Sequence, residues 1–357
     1  MGATFGRNLR MTIFGESHGK GIGLVLDGLP PGSAINEEFI REEMARRAPG
    51  QNLLSTQRKE ADAFIIESGV FEGKAAGTPL CALIPNSDQH SKDYSILKNQ
   101  MRPGHADYAG KIKYKGFNDY RGGGHFSGRL TAPLVFVGAV AKSILKEKGV
   151  VVGAHIARIG RVTDTLFNPL GETAERLQGL RRYILPVLDA SRAPLMEAEV
   201  MAAREEKDSV GGVIEVMAIG VPPGIGEPFF DSLESRLSHA LFSVPAVKGV
   251  EFGAGFGISA LKGSEANDPM RFDGEQVITT KNNNGGITGG ITNGMPVLFR
   301  VAIKPTPSIS RPQQTVDLAA GEDAVLEITG RHDPCIVPRA VPVIEAVAAW
   351  TLLDMML

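Results

Sequence analysis

Alternating apolar and polar positions along the chain predict several strands separated by tight loops. The runs at 11–14 and 21–28 are rich in aliphatic and β-branched residues and flank the loop GESHG. Further strand-like runs cover 63–71, 78–85 and 149–160. Because the residues after GESHG continue as a strand, this loop fits neither the strand-to-helix turn of a nucleophile elbow nor that of a dinucleotide-binding fold.

Three segments instead show the spacing of helices. Residues 36–47 predict an amphipathic helix, with Asn36 as its N-cap and Arg46 complementing the helix dipole at its other end. The segments 130–147 and 342–357 are apolar on nearly every face, which predicts burial on several sides. Since no repeat or linker divides the chain, we predict a single large α+β domain over residues 1–357.

The composition excludes several classes of protein. The net charge is -2, with 38 basic and 40 acidic residues, so no overall field attracts nucleic acid or an anionic membrane. The two cysteines, Cys81 and Cys335, are too few for a disulfide scaffold and suit a reducing compartment. No secretion signal is visible, and the longest apolar run is too short to span a bilayer. We therefore predict a cytoplasmic protein without nucleic-acid or membrane partners.

The stretch 102–129, RPGHADYAGKIKYKGFNDYRGGGHFSGR, concentrates residues suited to anion chemistry. It holds three arginines, two histidines, two carboxylates and seven glycines. Arginine offers a fork of donors to phosphate or carboxylate, histidine moves protons near neutral pH, and glycine lets the backbone approach a ligand. Ser127 and Arg129 precede the apolar helix, whose N-terminus favours anions. The stretch predicts a small, multiply anionic ligand that undergoes proton transfer.

Two clusters of the same kind lie near the chain ends, FGESHG at 14–19 and RHDPCIVPRAVP at 331–342, and a glycine-rich run covers 282–296. No GxxxxGK[ST], HExxH or CxxC motif occurs, which disfavours a P-loop NTPase and a zinc site. The residues alone indicate a lyase or transferase acting on a small phosphorylated acid, with a flavin as one possible cofactor. A flavin-independent enzyme and a non-catalytic flavin-binding protein stay open as alternatives.

Six motifs together are far more specific. FGESHG, RPGHADY, DYRGGG with SGR, NGGITGGITNG, KPTPS and GRHDPC occur in this order, and the chain resembles the chorismate synthase family over about residues 5–355. The resemblance implies a βαβ sandwich of antiparallel sheets with helices. It also implies a 1,4-anti elimination of phosphate from 5-enolpyruvylshikimate 3-phosphate to chorismate, the last step of the shikimate pathway. The family's reaction needs reduced FMN without net redox change.

The resemblance also implies catalytic residues. His18 would protonate the leaving phosphate, with Ser17 beside it. His105 would protonate or stabilise the anionic reduced flavin. Asp333 would assist deprotonation around flavin N5, and Ser127 would join the hydrogen-bond relay.

By the same resemblance, the substrate would contact Arg47 and Arg129. FMN would contact His125, Phe126, Ser127, Pro245, Ala246, Gly289, Lys304, Pro305, Thr306, Pro307, Ser308 and Arg331.

The chain departs from many relatives of the family at three places, the first of which covers two positions. His125 and Phe126 stand where an arginine and a serine are common, so the charge of the flavin or substrate contacts changes there. Leu53 stands where a second arginine is frequent, so that contact is predicted to be absent. Pro245 replaces an asparagine, which leaves only main-chain contacts.

The resemblance extends to partners. The family is typically a homotetramer, and its bifunctional members carry long insertions that this chain lacks. We therefore predict a monofunctional enzyme that depends on an external flavin reductase, with NADPH as the indirect source of electrons.

Overall fold

The computed structural model describes residues 2–50, 61–86, 96–328 and 333–357. Its first seven strands are β1 (Thr4–Phe5), β2 (Arg10–Gly15), β3 (Gly21–Asp27), β4 (Ile65–Ser68), β5 (Val70–Phe71), β6 (Lys74–Ala75) and β7 (Leu80–Pro85). Five of them form an antiparallel sheet in the order β1–β2–β3–β7–β4. Leu24 and Leu26 of β3 are fully buried, so this sheet turns an apolar face toward the core. The two strands predicted around GESHG are confirmed.

A second sheet is built from later parts of the chain. The remaining strands are β8 (Val151–Ile159), β9 (Val162–Thr163), β10 (Gly212–Ile219), β11 (Val247–Phe252), β12 (Met270–Asp273), β13 (Gln276–Thr279), β14 (Ile287–Thr288), β15 (Ile291–Thr292), β16 (Val297–Ile303), β17 (Gln313–Asp317) and β18 (Glu322–Leu326). Five of them form an antiparallel sheet in the order β11–β16–β10–β8–β9. The others form two-stranded hairpins, β12 with β13, β14 with β15 and β17 with β18.

The described residues also form eight α-helices. They are α1 (Glu37–Arg47), α2 (Asp107–Lys113), α3 (Ala132–Glu147), α4 (Ala174–Gly179), α5 (Arg192–Glu205), α6 (Leu233–Phe242), α7 (Gly263–Ala266) and α8 (Val337–Met356). The two apolar helices, α3 and α8, pack against each other; α3 also contacts β3, and α8 also contacts β8 and β10. The predicted sandwich of antiparallel sheets and helices is confirmed.

The contact between α3 and α8 depends on one glycine. A Cβ atom added at Gly138 would lie 2.1 Å from the Cβ atom of Ala346, far inside van der Waals contact. The backbones therefore approach closely, and both helices are buried along most of their length, as their sequences predict. Among the described residues, the one helical stretch apolar and long enough to cross a membrane is Arg121–Glu147, and 83% of its most apolar window is buried in this core.

A buried ionic cluster joins α1, α3 and α8. Asn36 caps α1 as predicted, accepting a hydrogen bond from the Phe39 backbone. The interpretation of Arg46 as a complement to the helix dipole is incomplete, because its guanidinium lies 2.9 Å from Glu43 and 2.6 Å from Glu345. Lys142 contacts the same two carboxylates at 2.6 and 2.7 Å. This cluster fixes the helical layer that lines the site described below.

We expect acid to weaken this cluster through Glu43. Burial alone would raise the pKa of Glu43, but Lys142, Arg46 and Arg181 lower it from 4.5 to about 2. The pKa of the folded state is depressed, so the stabilisation is present above the unfolded pKa and is lost as pH falls from about 4.5 toward 2. The ionised Glu43 side chain contributes to the free energy of unfolding, and by linkage this contribution is roughly 2 kcal/mol smaller at pH 3 than at pH 6. Glu43→Gln removes the contribution at both pH values.

Urea unfolding of the wild type and of Glu43→Gln at pH 6 and pH 3 measures the contribution of Glu43 to stability. The stability difference between the wild type and Glu43→Gln should be large at pH 6 and smaller at pH 3. Glu37→Gln is the matched control, since Glu37 lies on the same helix but its ion pair is exposed to solvent. A difference between wild type and Glu43→Gln that does not change with pH would contradict this account of the cluster.

Candidate active site

A cavity of about 700 Å³ brings most of the predicted site residues together. Of the predicted residues, those that line it are Arg47, His105, His125, Phe126, Ser127, Arg129, Pro245, Ala246, Lys304, Thr306, Pro307, Ser308 and Asp333. Ser17 and His18 lie behind its wall, and Pro305 lies between two lining residues. Arg331, His332 and Leu53 lie outside the described residues.

Gly289 is placed elsewhere. It lies in the turn between β14 and β15, and it is not among the residues that line the cavity. The neighbouring Gly290 packs instead on Ser232, at the N-terminal end of α6. The predicted cofactor contact of Gly289 stays a prediction that this cavity does not support.

The first of three successive glycines, Gly122, lines the cavity and packs against His18. Gly122, Gly123 and Gly124 have φ values of 57°, 85° and 53°, a region that side chains disfavour. A Cβ atom at Gly122 would lie only 2.1 Å from Cε1 of His18, so the imidazole packs directly against this backbone. The Ser17 backbone N–H also donates to the Gly124 carbonyl at 3.2 Å. The glycine run therefore holds FGESHG against the cavity wall.

The orientation of the buried His18 ring is set by Ser17. The Ser17 hydroxyl lies 3.2 Å from the Gly122 carbonyl, which can only accept a hydrogen bond. When the hydroxyl donates to this carbonyl, or to the Arg121 carbonyl at 3.3 Å, it accepts from Nδ1 of His18, 3.1 Å away. This arrangement places a proton on Nδ1 of His18 and leaves Nε2 as the nitrogen whose protonation changes.

Two arginines at the cavity share one buried carboxylate, Asp62. Arg47 Nε donates to Asp62 Oδ2 at 2.7 Å, and Arg129 NH1 donates to Asp62 Oδ1. Arg129 also donates to the side chain of Asn86 at 3.1 Å. Asp62 is 2% exposed, so it acts from behind the wall. One negative charge between two guanidinium groups leaves a net positive charge facing the cavity. Sequence reasoning missed Asp62.

Asp333 is held by an arginine that the sequence analysis also missed. Arg339 NH1 donates to Asp333 Oδ2 at 2.6 Å, and its Nε donates to the Arg47 carbonyl at 3.0 Å. Burial lowers the pKa of Arg339, and the neighbouring charge of Arg47 adds to this effect against the opposing influence of Asp333. Arg339 lines the cavity and adds to its positive charge. Its only sequence signal is its place eight residues after GR in the cluster at 331–342.

Lysines and hydroxyls form the side of the cavity built by KPTPS. Burial lowers the pKa of Lys304, and the nearby Lys248, a second lining residue that was not predicted, lowers it further. Lys304 Nζ donates to the Gly104 carbonyl. The Thr306 hydroxyl oxygen is buried without a hydrogen-bond partner among the described residues. A buried hydroxyl of this kind is available for a hydrogen bond to a bound ligand or to an ordered water.

The backbone beside these lysines is strained. Ala246 has φ 75°, a conformation that costs a non-glycine residue free energy. Its carbonyl accepts from the Lys304 backbone N–H at 2.9 Å, which ties this turn to KPTPS. The expectation that Pro245 and Ala246 offer main-chain contacts agrees with their position on the cavity wall.

The two departures at 125 and 126 have different surroundings. His125 Nδ1 lies 2.9 Å from the Gly15 carbonyl, so Nδ1 carries the proton that forms this bond. Phe126 packs on α2, where a Cβ atom at Gly110 would lie 2.6 Å from its ring. His125 therefore adds an imidazole to the lining of the site, while Phe126 packs against α2.

An antiparallel βαβ sandwich with a cationic cavity and adjacent imidazoles defines an acid–base enzyme that acts on a small polyanion. The sequence model of one protein family, described as Chorismate synthase, matches residues 9–357. The chain belongs to the chorismate synthase family.

Known chorismate synthases align with this chain over almost its whole length. The chain is 49% identical to "Chorismate synthase" of Pyrococcus abyssi (strain GE5 / Orsay), covering 99% of this chain and 97% of that protein. It is 47% identical to "Chorismate synthase" of Methanocaldococcus jannaschii, covering 99% and 96%. A solved structure, "Crystal Structure of Chorismate Synthase", superposes with a TM-score of 0.75 at 31% identity, covering 99% of this chain and 92% of that one.

The activity follows from this membership. The chain is a phosphate lyase with chorismate synthase activity, which is the final step of the shikimate pathway in aromatic amino-acid biosynthesis. Enzymes of this family act on 5-enolpyruvylshikimate 3-phosphate and use reduced FMN.

Proposed function

We propose that the 700 Å³ cavity binds both 5-enolpyruvylshikimate 3-phosphate and reduced FMN. The observation that carries this proposal is the charge of the lining. Arg47, Arg129, Arg339, Lys248 and Lys304 line one cavity of a chain whose net charge is only -2. Of the described residues that line it, Asp333 is the one carboxylate. Such a local concentration of cations suits a substrate with a phosphate and carboxylates next to a phosphorylated cofactor.

The substrate side of the cavity is proposed to be Arg47 and Arg129. Both guanidinium groups are fixed by Asp62, so they bind anions without first losing side-chain freedom. Ser127 follows the glycine run in the chain and lines the same cavity, and its hydroxyl accepts a hydrogen bond from the Arg129 backbone at 3.3 Å. Holding the phosphate and carboxylates rigidly would align the leaving group before the elimination.

His18 is proposed to donate the proton to the leaving phosphate. Its ring is 3% exposed and packs against Gly122, a residue that lines the cavity. Ser17 fixes its Nδ1 proton, so Nε2 is the nitrogen from which the exchangeable proton leaves. A general acid of this kind typically contributes about 10²–10⁴-fold in rate. Asp333, fixed by Arg339, is proposed to act as the base near the flavin.

The residues of the other side fit FMN. The unpartnered Thr306 hydroxyl, the lysine pair Lys248 and Lys304, and the strained turn at Ala246 would hold it, together with Ser308. Reduced FMN, when bound, supplies an electron-rich ring beside the substrate without net redox change. The protein orients the cofactor and excludes water, and its own side chains move the protons.

Replacing Lys304 tests this placement. Lys304→Met removes a cation that lines the cavity, and the loss of a charged contact of about 1.5–3 kcal/mol corresponds to roughly 10–150-fold weaker binding. The dissociation constant of FMN in the presence of substrate, measured by anaerobic fluorescence titration, should rise by that factor. Lys146→Met, on the exposed end of α3, is the matched control and should bind as the wild type does. Equal affinity of all three proteins would refute the placement.

We propose that electrons reach FMN from NADPH through an external reductase. This chain aligns with 97% of the Pyrococcus abyssi relative while covering 354 residues, so it carries no long insertion relative to that protein. Oxidation of NADPH by the purified protein with FMN in air would contradict a monofunctional enzyme.

We further propose a cytoplasmic homotetramer of single-domain subunits. One continuous apolar core runs from Leu9 to Leu353, which supports a single domain. Three phenylalanine side chains are largely exposed in the single subunit: Phe229 (86%), Phe230 (93%) and Phe256 (86%). Large apolar side chains exposed to this extent support contacts with other subunits. Light scattering after size-exclusion chromatography should give four times the 38.0 kDa chain mass, whereas a monomer would rule out the tetramer.

A further inference from the structure

His105 lines the cavity, and two charged side chains crowd its Nδ1 atom. Asp107 Oδ1 lies 2.6 Å from Nδ1, and Arg102 NH2 lies 3.1 Å from it. A carboxylate only accepts hydrogen bonds and a guanidinium only donates them, so the two contacts require opposite protonation of Nδ1. The shorter contact is with the carboxylate, which assigns the proton to Nδ1.

With Nδ1 protonated, Nε2 becomes the nitrogen that exchanges protons. The ring edge that carries Nε2 faces the glycine wall, since a Cβ atom at Gly123 would lie 3.2 Å from Nε2 and 3.1 Å from Cε1. Because Gly123 lacks a Cβ atom, this edge of the ring can pack directly on the glycine backbone. With Nδ1 bonded to Asp107, Nε2 is the ring nitrogen left to bond another group.

Asp107 is itself held rigidly. Arg102 donates from Nε to Oδ2 at 2.7 Å and from NH2 to Oδ1 at 2.8 Å, and the Arg102 backbone N–H donates to Oδ2 at 3.1 Å. The same guanidinium donates from NH1 to the Ser308 hydroxyl at 3.1 Å. This bidentate pair joins the RPGHADY motif to KPTPS and leaves the Asp107 carboxylate little freedom to turn.

The electrostatics indicate that the Asp107 carboxylate stays ionised beside His105 and does not itself carry the proton. Burial would raise the pKa of Asp107, but hydrogen bonds from Arg102 and His105 hold this pKa well below its usual range. The carboxylate is therefore charged near neutral pH. It also borders a separate cavity of about 170 Å³ and is not among the residues that line the main one.

We infer that Asp107 is a positioning residue for His105: its carboxylate fixes the Nδ1–H tautomer, so that Nε2 is the ring nitrogen that exchanges a proton during the reaction. This inference rests on the proposed role of His105 as the group that donates a proton to, or stabilises, the reduced flavin. When Nε2 releases or takes up a proton, Nδ1 keeps its own. The charge of Asp107 then stabilises the imidazolium form without accepting its proton.

The tautomer can be measured without any turnover. Protein labelled with ¹⁵N in its histidine rings should show, in long-range ¹H–¹⁵N spectra, a neutral His105 protonated at Nδ1, with His105→Gln used to assign the signal. In Asp107→Asn this pattern should be lost, because an amide no longer requires a donor at Nδ1. A wild-type His105 protonated at Nε2 would overturn the inference, whatever the role of His105 in catalysis.

Kinetics provide the second readout. Asp107→Asn should lower kcat by about 10²–10⁴-fold, the range seen when a histidine loses the carboxylate that orients it. KM should stay within about threefold, because Asp107 does not line the main cavity. Asp208→Asn, which breaks an exposed pair with Arg311, is the matched control and should retain wild-type kcat.

The outcomes separate this inference from the proposed function. If kcat of Asp107→Asn is within threefold of wild type, or falls while the tautomer is unchanged, Asp107 does not position His105. If His105→Gln turns over at the wild-type rate, the proposed role of His105 fails even where the tautomer measurement succeeds.

Discussion

Gly122→Ala should reduce chorismate formation by at least about 10²-fold while the protein stays folded. The added methyl group would lie 2.1 Å from Cε1 and 2.2 Å from Nδ1 of His18, so the imidazole has to move. A displacement of about 1 Å of a catalytic group can cost that factor in rate. Steady-state phosphate release from 5-enolpyruvylshikimate 3-phosphate with reduced FMN measures the loss.

Gly116→Ala is the control for the backbone conformation. Gly116 has φ 80°, yet a Cβ atom added there would meet nothing within 4 Å. The left-handed backbone conformation therefore destabilises both variants by a similar amount, about 1–2 kcal/mol, but only Gly122→Ala moves His18. Equal activities of the two variants would show that the contact between the glycine run and His18 does not matter for the reaction.

Asp62→Asn should destabilise the protein by about 3–5 kcal/mol and weaken substrate binding. The amide keeps the size of the side chain and tolerates φ 51° at this position. Its NH₂ group, however, faces a guanidinium that can only donate, and Arg47 and Arg129 lose their shared negative charge in a buried setting. Urea unfolding gives the free energy of unfolding, and KM for the substrate should rise.

Asp273→Asn provides the comparison. Asp273 lies on the exposed hairpin of β12 and β13, 3.8 Å from Arg271, and its side chain is 68% exposed. An exposed pair of this kind contributes about 0–1 kcal/mol, so this variant should be close to wild type. If Asp62→Asn were as stable as Asp273→Asn, the two arginines would not depend on a common buried carboxylate.

The parts of the site that the sequence predicted are local in the chain. RPGHADY and RGGGHFSGR place arginines, histidines and glycines within one stretch, and the structure shows this stretch forming one wall of the cavity. The glycine run needed positive φ at three positions, which the residue type alone indicates. The buried helices α3 and α8 could likewise be predicted because their apolar residues cover nearly every face.

The parts that sequence reasoning missed depend on distant contacts. Asp62 lies 15 residues from Arg47 and 67 from Arg129, in a stretch with no motif of its own. Arg46 looked like an ordinary helix end because Glu345, its partner, is 299 residues away. The cofactor contact of Gly289 stays a prediction, since the structure places this glycine in a hairpin turn, a role that a glycine-rich run can have as readily as that of a ligand cradle.

Phosphate release under anaerobic conditions, with chemically reduced FMN present or absent, tests the central claim most directly. The purified, folded chain should release phosphate from 5-enolpyruvylshikimate 3-phosphate only when reduced FMN is present, and chorismate should form in equal amount. Release at the same rate without FMN, or none in either condition, would contradict a flavin-dependent phosphate lyase built on this cavity.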